Sequence, residues 1–243
     1  MNESGKEKSF LEKGRDEQYR DFADAVINAL PRDIDSDIMG GWIEDPAGLS
    51  RRLGAALGAH RSGIAGKHLK SWHLFYHDLF QIDLDFGQMR VPDARKGFDR
   101  LIVVASGLTP HRIFEVFREL FGHDCYGELA GVLLEDERSS GSGPYAVWAM
   151  DNTEPDDDLK GVSAESLKND GVESMTLVER LLFGLKYHNE TGDHLDRETW
   201  TLCAGSRHAG VFVPRVGAGS GIELGWCSKH EAHPVLRARR VVA

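Results

Sequence analysis

Apolar residues along the chain change their spacing from segment to segment, and each spacing predicts an element. Phe22, Val26 and Leu30 recur at helical intervals after a polar lead-in, and Pro31 stops that helix. A second helix is expected where Asp45 caps, Pro46 takes the first helical position, and Leu49, Leu53, Ala56 and Leu57 form one stripe. Two such short helices joined around Trp42 bury little alone and are expected to dock on a neighbour. The Gly- and Ala-rich stretch from Gly58 to Gly66 reads as a hinge, which delimits a helical module over residues 1–62. Residues 63–97 read as a connecting region of mixed structure. Trp72, Leu74, Phe75, Leu79 and Phe80 suit a helix, whereas Gln81 to Phe86 alternates as a strand does.

Beyond Phe98 the pattern is that of an α+β domain, residues 98–243. Leu101 to Ala105 is a β-branched run suited to a buried strand. Thr109 and Pro110 open a helix with Ile113, Phe114, Phe117, Leu120 and Phe121 on its apolar face, and Gly122 stops it. Ser139 to Gly143 is a turn, and Tyr145 to Met150 behind it reads as a strand that Gly131 to Leu134 pairs as a hairpin. Thr176 and Glu179 form a capping box ahead of Leu177, Leu181, Leu182 and Leu185, giving a helix through about Tyr187 and a stop at Thr191-Gly192. Strands are expected near Thr201–Cys203, Val211–Val213, Ile222–Leu224 and Arg239–Val242.

Residues 208–236 show no sustained period of 2 or 3.6, so core packing does not account for them. The expectation is that Trp200–Cys203 pairs with Arg239–Val242 and clamps a loop-rich insert. That insert exposes His208, Phe212, Trp226, His230 and His233, the candidate binding residues, because aromatics and histidines on a rigid frame supply contact area at low entropic cost.

Composition bounds the partners. The chain has 243 residues, 41% of them hydrophobic, enough for a substantial core. Its 39 acidic against 29 basic residues give a formal charge of -10, which disfavours nucleic acid and anionic membranes. Cys125, Cys203 and Cys227 are odd in number and far apart, unlike a disulfide framework. Met1 to Lys8 lacks the apolar run of a signal peptide and no long apolar window occurs, so cytoplasmic residence is expected.

Several constellations carry possible chemistry. Gly217 to Gly221 lacks the Lys-Ser/Thr of a phosphate loop and runs into a strand, so a plain loop and no cofactor are expected. Cys203, His208, Cys227, His230 and His233 offer zinc-ligand types without paired Cys-x-x-Cys knuckles. His73 and His77 share a helical face, and Cys203 with His208 has the residue types of a nucleophile and its base, giving a hydrolase alternative. Glu154, Asp156, Asp157 and Asp158 suit either a calcium site or a solvated charge run. With no acid–base pair in a recognised context, a module binding a protein or small ligand is preferred to an enzyme.

Several stretches resemble a set of functionally uncharacterised bacterial proteins from environmental and candidate-phylum genomes. They are Leu30-Pro31-Arg32-Asp33-Ile34-Asp35 with Gly41-Trp42-Ile43, Leu101 to Val104 with Gly107-Leu108-Thr109, Thr176 to Leu182, and Leu185-Lys186-Tyr187. Glu190 to Asp196, Trp200 to Arg207 and Leu236 to Arg239 complete the set. The terminal frame is also similar to variable proteins of diversity-generating retroelements. That resemblance implies a C-type-lectin-like domain presenting variable side chains on a fixed backbone, and therefore binding. The sequence departs from that pattern in having no Asn, Asp, Tyr or Thr over 208–236 and Val235-Leu236-Arg237 where a Gly-Phe-Arg ending is typical.

Overall fold

The computed structural model describes residues 19–49, 53, 64–84, 86, 89–129, 131–219 and 221–243. The chain divides into two units, Met1–Gly54 and Ala55–Ala243. In the first, helix α1 covers residues 19–29 and stops ahead of Pro31, which offers no N–H to continue it. Helix α2, Ser36–Glu44, is one that apolar spacing did not announce, because Gly40 and Gly41 dilute its pattern. Asp35 caps it by accepting from the Asp37 and Ile38 amides. Trp42 thus lies inside a helix and not in a joint between two. Asp45 does cap the following helical turn, 46–49, accepting from Gly48 N–H at 2.9 Å. Ala56, Leu57 and residues 58–63 of the expected hinge lie outside the described residues.

The second unit is an α+β assembly. Its elements are α3 (Ile64–Phe80), β1 (Arg100–Val104), α4 (Pro110–Phe121), β2 (Cys125–Tyr126), β3 (Leu134–Asp136), β4 (Tyr145–Ala149), α5 (Ala164–Asn169) and α6 (Leu177–Thr191). There follow β5 (Trp200–Leu202), β6 (Ser206–His208), β7 (Phe212–Gly217), β8 (Ile222–Ser228), β9 (Leu236–Arg237) and β10 (Val241–Val242). β1 and β10 flank β4 in an antiparallel sheet. A second sheet runs β2-β8-β7-β5-β9, with β6 pairing β7 and β3 pairing β6 off that path.

Two expected pairings differ. β4 does not form a hairpin with residues 131–134, because its run of buried positions, Ala146 to Ala149, needs cover that the half-exposed β3 does not give. The two ends of the terminal segment are also not partners: Trp200 opposes Leu236 in a parallel pair, while Val241 opposes Ala149 in the other sheet. The chain crosses between sheets over residues 238–240, and Arg239 returns to β5 only through its side chain, Nε to Thr201 Oγ1 at 3.1 Å.

Helix α6 occupies the middle of the main core, and every residue from Leu177 to Lys186 is buried. A helix enclosed on all sides must be apolar all round or must pair its polar groups. Leu177, Leu181, Leu182, Phe183 and Leu185 satisfy the first condition and meet Leu101 to Val104, Ala146 to Ala149, Val216 and Ile222 in one cluster. Lys186 meets the second, donating to Ser71 Oγ at 2.7 Å with its Nζ 5.2 Å from the Phe75 ring centroid. Gly184 is required here, since a Cβ would stand 2.5 Å from Arg180 Nη1. The capping box appears as expected, with Thr176 and Glu179 bonding reciprocally. The helix runs to Thr191 and ends on a left-handed Gly192.

Residues 64–80, expected as part of a connecting region, are a core helix instead. Trp72 Nε1 donates to the Leu101 carbonyl at 2.8 Å, and Tyr76 Oη donates to Val103 O at 2.7 Å. Residues 81–84 form no strand; Ile82 and Leu84 pack into the same core from irregular backbone. The larger unit therefore starts well before residue 98. In α4, Thr109 caps as expected through Arg112 N–H, but Leu120 in the last turn faces out. A smaller cluster lies on the other face of the second sheet, where Leu159, Ala164 and Leu167 cover Leu202, Val213, Cys227 and Leu236. Among the described residues no helix is long and apolar enough to cross a membrane.

Candidate functional site

The second sheet is held against α6 by a buried ionic network. Asp196 accepts from Arg180 Nε at 2.7 Å, from an Arg239 Nη and from Thr201 Oγ1. All three charged side chains are at most 2% exposed. Arg239 also donates to the Asn152 and Thr153 carbonyls at 2.8 and 2.9 Å, so every nitrogen of its guanidinium has a partner. Burial alone would raise the Asp196 carboxyl, but the Arg180 and Arg239 guanidinia outweigh it and hold it below the usual carboxylate value. Asp196 sits at φ 61, kept there because its N–H donates to Thr153 O and its carbonyl accepts from Ala218 N.

A cavity of about 560 Å³ is walled mainly by apolar side chains including Val104, Leu108, Leu129, Leu134 and Val178. Asp136, Arg138 and Tyr145 line it too. Arg138 grips Glu179 through Nε and Nη2 at 2.8 and 2.9 Å, and Tyr145 Oη donates to the same carboxylate at 3.0 Å. Ser206 Oγ donates to Asp136 Oδ1, and among the described residues Arg138 Nη1 and Asp136 Oδ2 have no hydrogen-bond partner, while neither is a buried atom. Burial, reinforced by Glu179, raises the Asp136 carboxyl above its ordinary value, against the Ser206 hydrogen bond and Arg138. The site thus offers one open donor and one open acceptor beside an apolar hollow, within the size range of ligand pockets. Sequence patterns did not single out these residues, because Asp136 and Arg138 are brought to the hollow only when β3 pairs with β6.

Three of the five expected binding residues come together. β6 and β7 form a tight hairpin in which His208 opposes Phe212, and Trp226 of β8 opposes Pro214. The His208 and Trp226 rings are 5.7 Å apart. His208 Nδ1 bonds the Leu133 carbonyl at 2.8 Å; a carbonyl only accepts, so Nδ1 carries the proton. Leu133 is 82% exposed and Phe212 47%, while Trp226 is half-buried against the main core. His230 borders this patch, because its N–H bonds Ser228 Oγ and Ser228 opposes Phe212. His233 is apart from it. Its Nδ1 accepts from Val235 N–H and its carbonyl lies beside Gly161.

The remaining constellations resolve differently. Cys203 and His208 are not a nucleophile and base: the buried Cys203 thiol points to Thr201 O, and burial raises its pKa far above the ordinary range. His77 pairs with Asp83 at 2.9 Å and His73 lies near the Phe86 ring, so the two do not share a ligand. Among the described residues no group of three or more His, Cys, Asp or Glu side chains is arranged to hold a metal ion, which removes the geometric basis of the zinc reading. The acidic loop is neither a cation site nor merely solvated. Glu154 accepts from the Arg197, Glu198 and Thr199 amides, Asp156 from Arg240 N–H, Asp157 pairs with Arg237, and Asp158 pairs with Arg240. Asp156, Asp157 and Asp158 staple residues 237–240 to the loop, and Glu154 ties residues 197–199 to it.

Thiol reactivity checks this placement. Cys125 is half-buried with its thiol pushed up to about 11 by burial, and Cys203 and Cys227 are buried. A water-soluble disulfide reagent at neutral pH is expected to titrate Cys125 slowly and the other two only after unfolding. Rapid modification of Cys203 in the folded protein would contradict the arrangement.

Comparison with family models, with curated proteins and with solved structures gave no match to this chain.

Proposed function

We propose that the protein is a binding module that engages a protein partner through the β6–β7 end of its second sheet. Phe212, Leu133, His208 and Trp226 form the contact surface, and the adjoining cavity takes an apolar anchor side chain of the partner. The observation that carries this reading is a shared wall. Leu133 and Leu134 line the cavity, and β3 is the strand that pairs with His208 in β6. Exposed aromatic and aliphatic groups beside a preformed hollow are the usual anatomy of an anchor site. Pairing of β6 with β3 on one edge and β7 on the other fixes the backbone of this surface, which lowers the entropic cost of binding. The resemblance to retroelement variable proteins points toward binding as well.

Selection of displayed peptides against the purified protein tests it. Enriched peptides are expected to carry a large apolar residue and to lose at least about tenfold in affinity on Phe212→Asp or Leu133→Asp, a change of about 1.4 kcal/mol or more. Both are exposed positions, so melting is expected to move little. Trp226→Ala is a poorer probe, because that ring also packs on the core. Peptides that bind both Asp variants as well as the parent would rule the surface out.

A further inference from the structure

We propose that the opposite face of the second sheet carries a carboxylate-binding site built on Arg215 and Trp200. It is independent of the cavity and of the Phe212 patch. Strand register places the parts. Thr201 opposes Val216, so Trp200 lies beside Gly217, and Arg215 opposes Gly225. The Trp200 ring rests over Gly217, where a Cβ would come within 3.0 Å of it. A Cβ on Gly225 would stand 3.1 Å from Arg215 Nε. The two glycines clear a flat floor on which the Arg215 guanidinium stacks, its Cζ 4.8 Å from the Trp200 ring centroid.

Arg215 is distinguished by what it does not bind. In a chain of formal charge -10, Arg138, Arg180, Arg239 and Arg240 each hold a carboxylate. Arg215 donates no hydrogen bond and makes no ion pair among the described residues. Its Nε is buried without a partner. Nη1 and Nη2 make no hydrogen bond among the described residues either, and they are not fully buried. The stack therefore fixes the plane of the guanidinium and turns its outer fork outward. A guanidinium held this way matches the two oxygens of a carboxylate, and its weak hydration makes the exchange of water for the anion inexpensive.

The surroundings narrow the ligand further. Glu223 is half-buried on the same face beside Gly217, its Oε1 directed toward Gly219 and unpaired with Arg215. A second negative charge on the ligand would meet it, which favours a monocarboxylate over a phosphate dianion. Trp200 offers the remaining open contact, so the class is a carboxylate on a flat apolar body.

The experiment uses protein labelled with ¹⁵N-arginine, in which the buried Arg215 Nε–H is followed while benzoate is titrated, with benzamide and phenyl phosphate in parallel. Saturable binding of benzoate is expected, with phenyl phosphate weaker and benzamide without effect. Arg215→Gln should weaken benzoate at least tenfold and Arg215→Lys nearly as much, because lysine lacks the fork; both variants should melt close to the parent. Phe212→Asp should leave benzoate binding unchanged, which separates this site from the proposed partner surface. A peptide with a free C-terminus and an amidated peptide bearing one glutamate distinguish a terminal from a side-chain carboxylate, and competition by either supports the site. Equal response to benzoate and benzamide, unaltered binding in Arg215→Gln, or failure of benzoate and both peptides to bind would overturn it.

Discussion

Replacing Asp196 by Asn is expected to cost about 3 to 5 kcal/mol, the usual penalty for removing one member of a buried ion pair. The change leaves Arg180 and Arg239 facing each other in the core with no anion between them. Against a total stability of about 5 to 15 kcal/mol, that brings the larger unit near its folding threshold. The pH dependence follows from the direction of the shift. Asp196 has its carboxyl lowered in the folded state, so its contribution is full above the unfolded value of about 3.9 and is lost as pH falls through the folded value below it. Asp136 and Asp156 are raised, both chiefly by burial, so they favour the folded state at low pH and withdraw that support as pH rises through their folded values. Urea unfolding at pH 7 and at stepwise lower pH checks both parts. The parent should lose its advantage over Asp196→Asn as the solution is acidified below about pH 4. Equal stability of the two proteins at pH 7 would remove the network from its structural role.

The second large effect concerns α3. A fragment beginning at residue 55 is expected to unfold cooperatively, and one beginning at residue 98 is not. Removing α3 uncovers β1 and deletes Trp72, Phe75, Tyr76 and Phe80 from the main core. It also strips the Leu101 and Val103 carbonyls of the Trp72 and Tyr76 donors. In the intact chain, Trp72→Ala should cost about 3 to 5 kcal/mol through the void it leaves. Tyr76→Phe should cost about 1 kcal/mol, because it removes a hydroxyl that donates to Val103 O and accepts from Ala105 N. Near-ultraviolet dichroism during thermal melting reads both. A sharp, reversible transition in the fragment from residue 98 would mean that α3 is an accessory to the fold.

Local chemistry was legible wherever a few adjacent residues set the backbone. The Thr176–Glu179 box, the Thr109-Pro110 start, the Pro31 stop and the Gly192 end depend on hydrogen bonds and φ angles within one turn, and each appears where the residues place it. The β-branched run at Leu101 to Val104 is the buried strand its composition describes. Strands β7 and β8 were harder to recognise. Their sheet is covered on both faces in part, by α6 on one side and α5 on the other, so inward and outward positions do not separate into apolar and polar. Gly217 and Gly225 interrupt the alternation for the sake of Trp200 and Arg215, which sequence spacing cannot show.

What the sequence determined by itself was the class of the fold and the local caps. Tertiary structure alone decided that His208, Phe212 and Trp226 meet, that Cys203 is buried, and that the acidic loop staples the stretch from Arg237 to Arg240. It also decided that α3 belongs to the core and that Arg215 stands unpaired among the described residues. The physical reason is range. A cap or a turn is closed by residues three or four apart, whereas the Asp196 network joins residues 180, 196, 201 and 239 and the cavity joins positions from 104 to 178. Such meetings follow from strand order and burial, which no short stretch of the chain encodes.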